Sequence, residues 1–231
     1  VREPLEEEMD PLEALRTIGT ARYFKPDPVS DELLYAAAEA ARFAPQGGNR
    51  QPVRLLIVRD RSKCERLGEL YAEEWAPMFE AADLATRELD PEDPVRRRVL
   101  AADDFARGFA SHPATIVVCA RLADLTITDT DLGRPSIVGG ASVYPTVQNL
   151  CIALRVQGVA SALTTILCGR EPEVIELLGI PAGFATACCV SIGYPRDGFP
   201  RRLSRRPVEE TTFVDGFDRP LSPPGGPRPT P

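Results

Sequence analysis

Three short apolar runs constrain the fold more than anything else in the chain: VRLLIVR at 53–59, ATIVVCAR at 114–121 and FATACCVSIGY at 184–194. Each is bounded by turn formers or charge and has strand length rather than helix length. The first reads as a largely buried strand, the other two as central strands. The stretch VASALTTIL at 159–167 reads either as a further strand or as an extended loop. Long segments of helical period separate these runs without regular strand–helix–strand alternation. An α+β fold is therefore expected, rather than a doubly wound sheet.

The helices announce themselves by their ends. Asp10-Pro11-Leu12-Glu13 has an Asp cap, Pro in the first turn and Glu three residues on. Leu12, Leu15 and Ile18 make its apolar stripe, and Gly19 ends or kinks it. Ser30 caps a second helix with Leu33, Leu34, Ala37, Ala38, Ala41 and Phe43 at helical spacing. Residues 62–110 are charged and helical in period, broken by DPEDP at 90–94. There Trp75, Met78 and Phe79 are either core or the lining of a cover over a pocket. Residues 124–140 read as a loop. Residues 141–157 read as a long helix with Tyr144, Val147, Leu150, Cys151 and Leu154 on its buried face and Gly158 just past its end. A short helix spans 172–178, followed by Gly179.

Residues 10–217 make one domain on this reading, preceded by a solvated arm at 1–9. The stretch 218–231, DRPLSPPGGPRPTP, has nothing useful to bury and is expected to be disordered.

The net charge of −7 argues against general nucleic-acid or anionic-membrane binding. No apolar run approaches the roughly 18 residues of a membrane span, and the acidic N-terminus lacks a signal-peptide core. A cytoplasmic protein is expected. None of the six cysteines has C-x-x-C spacing, and most lie in apolar runs, where a thiol packs as a small hydrophobe. The single histidine, His112, argues against a histidine-ligated metal and against a Ser-His-Asp triad. A helix-end or loop role is expected for it.

Between the second helix and the first strand lies APQGGNRQPVR at 44–54. Gln46, Asn49, Arg50 and Gln51 carry far more hydrogen-bonding capacity than a turn needs. Gly47 and Gly48 let backbone approach a flat ligand, since no Cβ intervenes. Asn49 and Gln51 offer donors and acceptors together.

This loop, set between helix and strand, resembles the A-P-S-x-x-N-x-Q-P-W pattern of the nitroreductase superfamily of FMN flavoproteins. Other pieces follow in the family's order: ARYFKPDPVSDELL, SHPATIVVCA, GGASVYPTVQNLCIALRVQGVASALTT, ELLGIPAGFATACCVSIGYP and RRPVEET. The resemblance covers roughly residues 12–215 and is closest to actinobacterial-type members with a GGNRQP loop. It implies a mostly antiparallel central sheet flanked by helices in an intertwined homodimer, with FMN at the subunit interface. It implies that Gln46, Gly47, Asn49 and Gln51 face the flavin's polar rim, and that Thr164, Thr165 and Ile166 lie near N5, where a backbone N–H helps. At the phosphate end it implies Thr20 and Arg22, joined by Arg205 and Arg206 from the C-terminal basic segment.

The chain departs from the pattern at that end. Aligned on Phe24, Ile18 and Gly19 stand where the family's R-R-S-x-R-x-F carries two basic residues. Gln46 replaces the usual Ser and Val53 the usual Trp. The implied activity is an FMN-dependent oxidoreductase. It would pass hydride from NADPH or NADH through flavin N5 to a nitroaromatic or quinone-type acceptor, by ping-pong chemistry and without a side-chain nucleophile. Two alternatives stay open. One is a flavin-dependent dehydrogenase of a biosynthetic intermediate. The other is a binding protein in which FMN affinity is weakened or lost. The stretch PVEETTFVDGF after Arg206 resembles the arm that embraces the partner.

Overall fold

The computed structural model describes residues 9–223. Those residues fall into two compact units that divide at Pro200/Arg201. The first unit holds six helices and a four-stranded sheet of order β1-β2-β4-β3, antiparallel throughout. The strands are β1 (Val53–Val58), β2 (Ala114–Arg121), β3 (Ala160–Thr164) and β4 (Phe184–Gly193). The helices are α1 (Pro11–Thr17), α2 (Asp31–Ala41), α3 (Arg61–Thr86), α4 (Pro94–Gly108), α5 (Tyr144–Val156) and α6 (Glu171–Leu178).

Both faces of the sheet are covered, and strand alternation divides the core in two. Ile116, Val118 and Ala120 of β2, with Cys188, Val190 and Ile192 of β4, pack against α2 and α5. Val117, Cys119 and Cys189 point the other way, into Leu67, Leu70, Tyr71, Phe105, Phe109 and Val174 from α3, α4, α6 and the turn after α4. Such double coverage is why β2 reads as an unbroken apolar run. β1 does not share it. It is an edge strand with only Val58 fully buried, which corrects the expectation of a largely buried first strand.

The expected caps form. Asp10 accepts from the Leu12 N–H at 3.1 Å and Ser30 from the Leu33 N–H at 3.4 Å. Gly158 and Gly179 follow α5 and α6 in left-handed conformation, φ 76° and 65°. DPEDP separates α3 from α4, whose cap is Asp93. Cys64, Leu67, Leu70 and Tyr71 put the N-terminal turns of α3 in the core, while residues 72–85 are exposed or half-buried. Trp75 packs at the edge of that core and donates to Asp103 Oδ1 at 3.2 Å, while Met78 is exposed.

Three helix faces differ from expectation. On α1 the buried residues are Ala14 and Thr17, while Leu12 and Leu15 are about half exposed. Thr17 Oγ1 accepts from the buried Arg155 of α5, so small residues face that helix and the leucines turn outward. α2 stops at Ala41, which leaves Phe43 in the turn beyond it, 67% exposed. α5 starts at Tyr144 rather than 141, and its first residue lies over Gly140 rather than in the core.

The strand-or-loop stretch resolves as β3 followed by a 3-10 turn over Ile166–Arg170. The 124–140 loop closes around one carboxylate. Asp129, 4% exposed, accepts from Ser136 Oγ (2.6 Å), Arg134 Nη1 (2.8 Å) and the Ile137 N–H (3.0 Å). These bonds, the Ser136 hydroxyl foremost, lower its pKa to about 2.

All six cysteines are free and all but Cys168 are buried. Burial raises the Cys188 thiol to about 12 and Cys119 to about 11, as inert packing groups require. His112 is a core residue. It sits among Phe24, Phe105 and Phe109, with Nδ1 2.9 Å from Ser191 Oγ. The C-terminal unit holds a 3-10 turn at Val208–Glu210 and a bridge between Phe213 and Pro220. The Leu221 N–H donates to Thr212 O at 2.9 Å. Residues 218–221, expected to open a disordered tail, are therefore paired. Residues 224–231 of that tail, and 1–8 of the expected arm, lie outside the described residues.

Two outcomes follow from these buried groups. Burial lowers the His112 pKa from 6.5 to about 4. The unfolded chain takes up the proton first, so stability is full above pH 6.5 and falls as pH drops toward 4, by roughly 3 kcal/mol in all. Melting temperatures across that range should show this slope, and His112→Gln should flatten it. Asp129→Ala should make the 124–140 loop a site of limited proteolysis at neutral pH, while the sheet stays intact by circular dichroism.

Candidate functional site

The loop between α2 and β1 is built under strain. A 3-10 turn spans Gly47–Asn49, and Gly48, Asn49 and Gln51 all adopt left-handed backbone, φ 57°, 52° and 50°. Glycine does so freely and asparagine readily, but for other residues the conformation costs on the order of 1–3 kcal/mol. Three bonds hold it. The Gly47 N–H donates to Ser142 Oγ at 3.0 Å, the Asn49 N–H to Gln46 O at 3.1 Å, and Arg54 Nη1 to Gln51 O at 2.8 Å. Inside this frame the Gln46 side-chain carbonyl is buried without a partner, the only such side-chain atom among the described residues. An unmatched buried carbonyl costs about 1–3 kcal/mol. Asn49 and Gln51 are exposed and spend no side-chain hydrogen bond on the described residues. The loop is costly to form and keeps its polar groups unspent, as ligand-binding backbone does.

Tyr144 stands beside this loop, two residues past Ser142. A Cβ on Gly140 would lie 2.6 Å from its ring, so only glycine allows this rotamer. The Tyr144 hydroxyl donates to Ala187 O at 3.3 Å. Ala187 is the extra residue of a β-bulge: Val118 pairs with Cys188, but Cys119 pairs with Thr186. The bulge turns that carbonyl out of the ladder toward the ring.

A second group forms at the other edge of the sheet. The segment after α1 runs extended. The Ala21 N–H donates to Ser161 O (3.0 Å), Lys25 N–H to Tyr194 O (2.8 Å) and Arg196 N–H to Tyr23 O (3.1 Å). Thr20 is exposed on it. Arg22 is half-buried, and among the described residues it has neither ion pair nor hydrogen bond from its guanidinium. That guanidinium is near enough to the Tyr71 hydroxyl to act on its acidity. The Tyr71 hydroxyl in turn lies 3.1 Å from Thr164 Oγ1. Thr164 Oγ1 also accepts from the Ile166 N–H at 3.3 Å. Thr165 is exposed between them.

The expected residues thus form two groups in one chain. Gln46, Gly47, Asn49 and Gln51 gather with Ser142. Arg22, Thr164 and Ile166 gather with Tyr71, and Thr20 and Thr165 lie on the same two segments. No hydrogen bond or ion pair among the described residues joins the groups. Arg205 and Arg206 belong to the C-terminal unit, where both are exposed and Arg205 Nη1 donates to Ser204 O at 2.7 Å. Sequence reasoning missed Ser142, Tyr71, Tyr144 with Gly140, and the Ala187 bulge. Only the G-G before A-S-V-Y hinted at a close approach. Tyr71 sits in a charged helical stretch with no motif around it.

The donor set fits a flavin mononucleotide. Unspent amides and an orphaned carbonyl suit a ring whose rim alternates donors and acceptors. The half-buried Arg22 guanidinium, unpaired among the described residues, suits a phosphate.

Comparison with known proteins agrees with this geometry. The family model "Nitroreductase family" matches residues 16–194. A protein of Archaeoglobus fulgidus named as an NADH dehydrogenase/NAD(P)H nitroreductase is 25% identical over 189 residues, covering 80% of this chain and 86% of its own length. The 5,6-dimethylbenzimidazole synthase of Rhodospirillum rubrum is 28% identical over 201 residues, 80% of this chain and 85% of that one. Among solved structures, a nitroreductase with bound FMN from Desulfitobacterium hafniense superposes with a TM-score of 0.64 at 23% identity, covering 91% of this chain and all of that one. With a family model that matches most of its length and a fold shared with solved members, the chain belongs to the nitroreductase family.

Proposed function

We propose that the protein is an FMN-dependent NAD(P)H oxidoreductase acting on an electron-poor acceptor of the nitroaromatic or quinone type. The observation that carries this reading is the 46–51 loop: strained, anchored by Ser142, and holding an orphaned buried carbonyl among unspent amides. The family match and the Archaeoglobus relative's name support the oxidoreductase assignment. The FMN in the Desulfitobacterium neighbour supports the cofactor.

Each group of residues has a part in this reading. Arg22 pairs with the phosphate, and the Thr20 hydroxyl donates to it. Thr164, Thr165 and Ile166 line the ring. Gln46, Asn49 and Gln51 offer amides to its rim, and Gly47 and Gly48 let backbone approach. Because no bond joins the two groups within a chain, the reading completes each site with the loop of a second copy, in a homodimer. Residues 10–217 are the family domain, and PVEETTFVDGF is the arm reaching the partner. Bound FMN supplies two-electron transfer between a reduced nicotinamide and an acceptor that take turns at one open face, a ping-pong cycle. The residues themselves bind, orient and shield. None needs to act as a nucleophile. A cytoplasmic setting, with NADPH or NADH at hand, completes the proposal.

A second reading has one specific support. Similarity to a protein named 5,6-dimethylbenzimidazole synthase favours flavin-dependent oxidation of a biosynthetic intermediate. Nicotinamides separate the two readings. A reductase loses its visible flavin absorbance when NADPH or NADH is added without oxygen and regains it with a quinone. A dehydrogenase responds to neither nicotinamide.

The purified protein should be yellow or become so on adding FMN. A colourless protein that takes up no FMN overturns the proposal. Arg22→Gln should raise the FMN dissociation constant by about one to two decades, the worth of a charge-assisted phosphate contact. Affinity for riboflavin, which has no phosphate, should not change. With Ile18 and Gly19 at the family's basic positions, no neighbouring charge in that motif compensates.

A further inference from the structure

Tyr71 lies on α3, 4% exposed, on the face that packs against the sheet. Its ring stacks on Phe109 with centroids 4.4 Å apart and planes 18° from parallel, and meets Phe105 edge-on at 6.0 Å. Phenylalanine would satisfy this packing equally well. The hydroxyl serves something else. It lies 3.1 Å from Thr164 Oγ1, the oxygen that also receives the Ile166 N–H. One buried hydroxyl therefore links α3 to the end of β3, two parts of the chain far apart in sequence.

We propose that Tyr71 is a positioning residue of the cofactor site, fixing the Thr164 rotamer and through it the course of the Thr164–Ile166 turn. The inference rests on the FMN reading above. Threonine is β-branched and stiff at χ1. The rotamer that puts Oγ1 against Tyr71 is also the one that closes the Ile166 N–H bond, and turning to another would break both. The phenol is well suited to this. It is neutral near pH 7, and burial raises its pKa further, so it meets Thr164 as a hydroxyl.

The test compares Tyr71→Phe, which keeps the stacked ring, with Thr164→Val, which keeps the branched shape but loses the oxygen. FMN and riboflavin are titrated into each variant and into the double variant, and the visible circular dichroism of the bound flavin is recorded. Each single variant should weaken FMN and riboflavin alike, roughly two- to tenfold, the worth of one hydrogen bond. The double variant should be no weaker than Thr164→Val, which already lacks the contact that Tyr71→Phe removes. The visible dichroism should change in the same way in all three. Unchanged affinities and dichroism in Tyr71→Phe, or single effects that add in full, would overturn the proposal, as would a lower melting temperature with normal flavin binding. If the unmodified protein binds neither flavin, the FMN reading fails by itself. Amide exchange at Ile166 then decides: Tyr71→Phe should accelerate it, and an unchanged rate rejects the positioning role.

Discussion

The ladder between β2 and β4 is buried from both sides, and the rest of the first unit is arranged around it. Ile116, Val118, Val190 and Ile192 face α2 and α5, while Val117, Cys119 and Cys189 face α3, α4 and α6. A sheet buried on both faces has no spare surface in its middle. Ligand chemistry is pushed to its ends and edges, where carbonyls and N–H groups leave the ladder. The bulge at Ala187, the end of β3 at Thr164 and the loop entering edge strand β1 are three such places. Every residue of the candidate site in this unit lies on or beside one of them, or on the segment that runs along β3.

Stability and function pull apart at the 46–51 loop. Left-handed backbone at Asn49 and Gln51 and a buried, unmatched carbonyl at Gln46 are each unfavourable. The core offsets them, and Ser142 fixes the loop to the approach of α5. On the other side the polar groups are matched. Tyr71, Thr164 and Ile166 satisfy one another, leaving Arg22 as the unspent charge. Among the described residues one chain thus carries an unsatisfied rim at one edge of the sheet and a satisfied wall beside an unspent cation at the other.

Local signals in the sequence held up well. Asp10, Ser30, Gly158 and Gly179 work through bonds or dihedrals within a few residues, so their roles are visible without the fold. Of the apolar stripe 12-15-18 only Ile18 packs against the core, because periodicity does not say which helix lies opposite. Against Arg155 it is the small Ala14 and Thr17 that fit, and the leucines face out. Tyr144 misled for a related reason. It sits at a helix start, where Gly140 receives its ring. His112 caps the end of a 3-10 turn, as expected of a helix-end residue, but its ring lies inside an aromatic cage assembled from residues far apart in sequence.

Three of the four strands, the helix boundaries to within a few residues, the family pattern and the amide-rich loop were legible in the sequence alone, because these depend on near neighbours and on order along the chain. Tertiary structure alone decided that β1 is an edge, that Ala187 bulges, that Ser142 anchors Gly47, and that Tyr71 reaches Thr164 across the sheet face. It also decided that the loop and the 164–166 turn make no bond with each other in one chain. These are consequences of which surfaces pack together, and packing of distant segments is set by three-dimensional complementarity that no local spacing encodes.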